Sequence, residues 1–203
     1  MFQVRIHGRG GQGVVTAAEL LSVAAFDEGQ YAQAFPSFGS ERTGAPVVSY
    51  CRMDKAPIRT REPVAAPDAV IVQDATLVHQ VDLFSGLSSD GYVIINTSRS
   101  LKDLGIEEAL SAQHPGRVVC CPATDIAIEC VGRAVPNAVL LGALAGLTGV
   151  VHLSSVTTAV AERFKGELGE RNAAAAKQAY DYVKEHYGKV TGELQELSYA
   201  PAT

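Results

Sequence analysis

Apolar and polar positions alternate from Phe2 to His7 and then run into glycines, a period of two that predicts a first strand. Between Thr16 and Glu28 the apolar residues Ala17, Leu20, Leu21, Ala24 and Ala25 recur at helical spacing, and Gly29 closes the segment. Tyr31 to Phe35 reads as a second strand ending at Pro36. Ala45 to Arg52 reads as a third, with Val47, Val48 and Tyr50 favouring extended backbone. The stretch from Pro57 to Pro67, with three prolines and mixed charge, reads as a loop.

Three short, mostly apolar runs follow: Ala69 to Val72, Tyr92 to Asn96 and Arg117 to Cys120. A strand that never alternates is buried on both faces, which is the condition of a parallel sheet with helices over it. The expected fold is therefore α/β, a Rossmann-like doubly wound, mostly parallel sheet with helices on both faces. The last third is helical. Asn137 to Thr148 is apolar nearly all round and should be buried, in the core or against a partner, whereas Ser154 to Phe164 and Glu170 to His186 are amphipathic. The polar tail from Tyr187 is expected to be loose or to lie over a neighbour. The expected organisation is one domain over residues 1–203, with an α/β core at 1–150 and C-terminal helices and tail at 151–203.

Composition narrows the classes. The 203 residues are 47% hydrophobic and 19% charged, enough for one sizeable core and lean in polar surface, which suits a chain partly covered by a partner. The formal net charge is −5 with no dense Lys/Arg stripe, which argues against nucleic-acid binding through phosphates. The opening residues have no basic, apolar and small-residue sequence of a secretory signal, so a cytoplasmic setting is expected. The most apolar stretch, Ala134 to Leu153, is interrupted by Pro136, Asn137, three glycines and His152, and reads as a buried helix rather than a membrane span.

Cys51, Cys120, Cys121 and Cys130 contain no C-x-x-C pair and read as small buried hydrophobes in a reducing compartment; Cys120 and Cys121 would face opposite sides of a strand. The five histidines, His7, His79, His114, His152 and His186, lack metal-ligand spacing, so no metal is expected. Asp74 and Asp125 stand after apolar runs, where a carboxylate caps the next helix. Ser85, Ser98 and Ser154 are in no nucleophile elbow, and no catalytic residue is assigned.

Two loops carry candidate chemistry. Gly8-Arg9-Gly10-Gly11-Gln12-Gly13 follows a strand and opens a helix, matching G-x-G-x-x-G. Glycines there let backbone N–H groups approach a phosphate, and the helix N-terminus adds a favourable dipole. A dinucleotide or another phosphate-bearing cofactor would fit, and so would a tight turn holding nothing. The second strand ends Gln33-Ala34-Phe35-Pro36-Ser37 without the acid that binds the NAD ribose. The second loop, Ser37 to Val47, sets hydroxyls, two glycines and a Glu41–Arg42 pair between strands. It reads equally as an anion site, an interface hairpin or a turn with a surface ion pair.

Together, Gly8 to Val14, Ser37-Phe38-Gly39-Ser40-Glu41-Arg42 and Gly44-Ala45-Pro46-Val47 resemble the gamma subunit of pyruvate:ferredoxin oxidoreductases and their relatives. Asp54 to Arg59, the helix from Pro136-Asn137 to Gly149 and the Phe164 to Lys184 region extend the resemblance over nearly the whole chain. Phe-Gly-Ser-Glu-Arg-Thr-Gly-Ala-Pro in the second loop is similar to the branch acting on pyruvate, 2-ketoisovalerate and phenylglyoxylate, with pyruvate the first choice.

That resemblance implies a complex that oxidatively decarboxylates a 2-oxoacid, forms an acyl-coenzyme A and passes electrons to ferredoxin or another acceptor, a reaction of anaerobic metabolism. Thiamine diphosphate, Mg and [4Fe-4S] clusters are implied in alpha, beta and delta subunits, because this chain carries neither a Gly-Asp-Gly…Asn signature nor cluster cysteines. What is left to a gamma subunit is assembly and a share of the coenzyme A site. On this resemblance Gly8, Gly10, Gly11, Gln12 and Gly13 are the candidates for the diphosphate, with Ser37, Ser40 and Arg42 as hydroxyl and charge-assisted contacts. The set Arg52, Lys55, Arg59 and Arg61, interleaved with Asp54 and Glu62, reads as a solvated loop before it reads as a phosphate site. Two other functions stay open: a free-standing nucleotide-binding oxidoreductase and a structural adaptor.

Overall fold

The computed structural model describes residues 1–37 and 43–198, with side-chain surroundings given up to residue 187. Strand β1 (Phe2–Arg9) leads into helix α1 (Val14–Asp27), the outer strands β2 (Tyr31–Pro36) and β3 (Pro46–Asp54), and then β4 (Ala69–Val72) and β5 (Tyr92–Asn96). A one-turn helix α2 (Leu101–Leu104) precedes β6 (Val118–Cys121), and four helices close the chain: α3 (Ala123–Val131), α4 (Asn137–Thr148), α5 (Leu153–Phe164) and α6 (Gly166–Ser198).

The strands form one six-stranded sheet in the order β2-β3-β1-β4-β5-β6. β1, β4, β5 and β6 pair in parallel, whereas β3 runs antiparallel to both β1 and β2, so β3 alone points against the rest. Both faces are covered, unequally. Val4, Ile6, Ile71, Ile94 and Val119 pack under α1, α3, α4, α5 and α6. Val70, Val72, Val93 and Ile95 pack under short helical turns and loops through Leu77, Leu83, Leu104, Ile106 and Leu110. β4 and β5 thus have no polar face, which is why their sequences do not alternate.

Helix α4 is buried along its length between the sheet and α6. The crossing is close: a Cβ on Gly142 would stand 1.9 Å from the carbonyl oxygen of Ala176, so only glycine lets the two helices meet there. The burial expected for this helix is met by the chain's own α6. Helix α6 is longer than the apolar spacing implied, running to Ser198 where a polar tail was expected. Its Tyr182 hydroxyl donates to the Cys120 carbonyl (3.3 Å), and its Tyr187 hydroxyl accepts from the Cys120 N–H (3.4 Å). Two phenols thereby occupy backbone groups on the outer edge of β6, a device that keeps an edge strand from pairing further.

Other expectations change in detail. Cys51 and Cys121 are buried and Cys120 and Cys130 only partly so, and the reading as buried hydrophobes therefore fits two of the four. Burial pushes the Cys121 thiol up to about 12. Arg52 is not in a solvated loop: it is 3% exposed, donates to Gln3 Oε1 (3.0 Å) and the Glu62 carbonyl (2.5 Å), and lies over the Phe35 ring. Asp125 does not cap α3. It sits inside the first turn, and Asn96 at the end of β5 takes the Thr124 N–H instead (3.0 Å).

Candidate anion site at the switch point of the sheet

From β1 the chain passes first to β2 and β3 on one side, and later to β4 on the other. The switch point lies between β1 and β4, where the loops leaving the carboxyl ends diverge and open a crevice for ligands. The glycine loop leaves β1 there, and Gln73-Asp74 leaves β4 beside it, with the Gln73 N–H donating to the His7 carbonyl at 2.7 Å.

The glycines have separate reasons. A Cβ on Gly8 would meet Val14 Cγ2 at 2.6 Å, so its absence lets α1 sit on the strand. Gly11 and Gly13 have φ of 93° and 74°, the left-handed region that glycine tolerates without strain. Gly13 is the residue before α1 and also touches α4, where a Cβ would stand 2.7 Å from Asn137 Nδ2. The N-termini of α1 and α4 therefore converge at Gly13, and both dipoles point their positive ends at this corner.

Two of the amides proposed for a phosphate are already used. Gly10 N–H donates to the Ala45 carbonyl (2.9 Å) and Gln12 N–H to the Arg9 carbonyl (3.0 Å). Gly44 N–H returns a bond to the Gly10 carbonyl (3.1 Å), and these bonds staple the end of the second loop onto the glycine loop. The helix-opening corner keeps Gly11 and Gly13 as its glycine amides without such a partner among the described residues. A cleft of about 310 Å³ lined by Arg9, Gly10, Gly11, Gly13, Val14, Val15 and Val47 lies against it. Ser37 is held one strand further out, its N–H donating to the Val48 carbonyl (2.8 Å). Ser40 and Arg42 lie outside the described residues.

The sequence reading missed what fixes the loop. Arg9 Nε donates to Asp74 Oδ2 (3.0 Å), and its other nitrogens donate to the Gly44 carbonyl (3.1 Å), Thr76 Oγ1 (2.7 Å) and Gln80 Oε1 (3.1 Å). Gln12 accepts from Arg9 N–H (2.7 Å) and donates to the same Asp74 Oδ2 (2.9 Å). Asp74 also caps the turn at Ala75–His79 through the Thr76 N–H (2.9 Å), so the expected cap is real and is the smaller part of its role. Burial alone would push the Asp74 carboxyl up, but bonds from Thr76 and Gln12 and the charge of Arg9 outweigh it and hold it below its ordinary value. Beneath the loop, Gln73 is 2% exposed, and neither of its side-chain amide atoms has a partner among the described residues. The signal that could have found these residues is positional: two polar residues directly follow an apolar strand paired to β1.

This topology also weighs against an NAD site. In a dinucleotide fold the ribose acid ends a parallel strand next to β1. Here the neighbour on that side is antiparallel β3, which presents Pro46 beside Arg9. Among the described residues no three His, Cys, Asp or Glu side chains gather to hold a metal, and no helix is long and apolar enough to cross a membrane.

The fold and its corner define the chain's class: an α/β domain with a stapled glycine loop at the switch point of its sheet. The chain belongs to the pyruvate ferredoxin/flavodoxin oxidoreductase family, whose model matches residues 3–182. It is 48% identical over 181 residues to the pyruvate/ketoisovalerate oxidoreductases common subunit gamma of Pyrococcus abyssi, covering 89% of this chain and 96% of that one. Among solved structures, pyruvate oxidoreductase subunit PORC of Thermotoga maritima superposes with a TM-score of 0.77 at 34% identity, over 89% of this chain and 95% of that one. The 2-oxoglutarate:ferredoxin oxidoreductase of Magnetococcus marinus, solved with 2-oxoglutarate, coenzyme A and succinyl-CoA bound, shares the fold alone at 17% identity. It has a TM-score of 0.65, over 91% of this chain and 30% of that one.

Proposed function

We propose that this chain is the gamma subunit of a thiamine-dependent pyruvate-type 2-oxoacid oxidoreductase in the cytoplasm, and that its part is assembly and a share of the coenzyme A site. Residues 1–203 act as one unit in this reading. The alpha, beta and delta subunits hold thiamine diphosphate, Mg and the [4Fe-4S] clusters, and ferredoxin takes the electrons. Pyruvate is the preferred substrate and 2-ketoisovalerate the next, in keeping with a gamma subunit named in Pyrococcus abyssi as common to both oxidoreductases.

One observation supports the site above the others: the corner where Gly11, Gly13 and the N-termini of α1 and α4 meet lies beside Gly10, stapled to Gly44 and Ala45, and borders a cleft of about 310 Å³. Coenzyme A supplies the thiol that accepts the acyl group. The chain's own residues would hold its diphosphate by the Gly11 and Gly13 amides and the α1 dipole, leaving Gly10 and Gln12 to keep the loop in shape. Ser37, Ser40 and Arg42 remain candidate contacts from the second loop.

The test is Gly13→Ala in the assembled complex. A rise in KM for coenzyme A with the KM for pyruvate unchanged supports the site, and an unchanged coenzyme A KM removes it. The committed amides of Gly10 and Gln12 favour one other reading, an adaptor whose loops only bind neighbours. That reading predicts that coenzyme A leaves amide exchange of the 8–13 and 37–46 loops unaltered.

A further inference from the structure

The strongest concentration of unexplained side-chain chemistry is the Arg9–Asp74 network, because it immobilises the cation that the glycine loop itself carries. Arg9 directs Nε and both terminal nitrogens to four protein acceptors, one of them a carboxylate. Its side chain is 22% exposed and that of Asp74 15%, so the pair is screened weakly. The charges of Arg9 and Asp74 sum to zero. Among the described residues, an anion at the Gly13 corner would meet helix dipoles, amides and an Arg9 whose charge Asp74 offsets.

We propose that Asp74 is a positioning residue that sets how tightly the loop holds a phosphate-bearing ligand, by neutralising Arg9 and tethering Gln12. This rests on the reading of the loop as a share of the coenzyme A site. A complex that takes up free coenzyme A and gives up acyl-coenzyme A each turnover must release both, and both carry the same diphosphate. A free arginine aimed at it would strengthen the two alike and slow departure. Asp74 prevents that while keeping Arg9 in place as a strut between β1, the turn after β4 and the second loop.

A charge series in the assembled oxidoreductase tests this, read as KM for coenzyme A at low and high ionic strength. Asp74→Asn leaves Arg9 uncompensated and should lower KM by about fivefold at low salt, an advantage that added salt removes. Arg9→Gln leaves Asp74 uncompensated and should raise KM by about as much, a penalty that salt also removes. The double variant restores the charge sum and should bring KM back toward wild type. A purely structural role predicts instead that all three raise KM, with no crossing of sign and no change of salt dependence, and that result overturns the proposal, as does a flat series. If Asp74→Asn does not assemble, Arg9→Gln decides alone: a KM increase that persists unchanged at high salt refutes the charge argument. Gly13→Ala separates the two levels. If it leaves KM untouched, the coenzyme A site itself fails; if it raises KM while the charge series is flat or uniformly raised, only the role of Asp74 fails.

Discussion

Glu28, the residue that ends α1, reaches across to α5: its Oε1 accepts the N–H of His152 at 2.7 Å and its Oε2 lies 3.0 Å from His152 Nδ1. His152 stands before the first turn of α5 and makes no side-chain cap of its own, so a carboxylate 124 positions away in sequence serves as that helix's cap.

The pH dependence follows in sign. Burial alone would raise the Glu28 carboxyl, but the backbone bond from His152 and the bonds from Ser155 and the His152 ring lower it overall. A depressed folded-state pKa gives stability that is present above the unfolded value and is lost as pH falls through the folded one. Glu28→Gln should therefore cost about 1 kcal/mol at neutral pH, the usual worth of a cap, and the difference should shrink as pH falls through the depressed folded-state value. Urea unfolding of the two proteins across pH 3–7 measures it, and a pH-independent difference contradicts it.

Gly142 makes a sharper prediction. Gly142→Ala puts a methyl group where the Ala176 carbonyl already stands, so α4 and α6 must separate. The expected loss is about 2–3 kcal/mol despite the better helix propensity of alanine. Thermal unfolding would show it as a clear drop in Tm, and a stabilised variant would mean that the helices do not cross as described.

Gln73 should behave in the opposite way. Its carboxamide is buried with both polar atoms unpaired among the described residues, so Gln73→Met exchanges an unsatisfied group for an apolar one of similar size. Stability should hold or improve by up to about 1 kcal/mol. A loss beyond that in denaturant unfolding would reveal a partner for the carboxamide, such as ordered water under the loop.

The thiols should react in order of access. Cys130 and Cys120 are partly buried, whereas Cys51 and Cys121 are enclosed, and burial raises all four thiols above their ordinary value. Labelling the native chain with a thiol reagent at pH 8 should modify Cys130 and Cys120 slowly, and Cys51 and Cys121 only after denaturation. Peptide mapping of the label gives the order directly, and early modification of Cys121 would contradict the packing of β6.

The local periodicities of this chain were enough to place its strands and most of its long helices. β4, β5 and α4 fall where continuous apolar runs put them, because burial on every side leaves one composition to choose from. The α/β class could be read from the same runs, and the tight turn from β1 into α1 from glycine spacing, because φ above zero and close approach are demands on single residues. Antiparallel β3, the far end of α6 and the cap of α3 could not be read that way. Strand direction is set by pairing, α6 is held by its packing on α4 and β6, and Asn96 caps α3 from another strand. The network at the switch point is the clearest case. Arg9 and Asp74 are 65 residues apart and become a pair only when β1 and β4 lie side by side. Sequence alone determined which segments form most strands and long helices and where glycines let the chain turn from β1 into α1. Tertiary structure decided that Arg9 is neutralised by Asp74, because hydrogen bonds between distant residues exist only after the sheet has assembled.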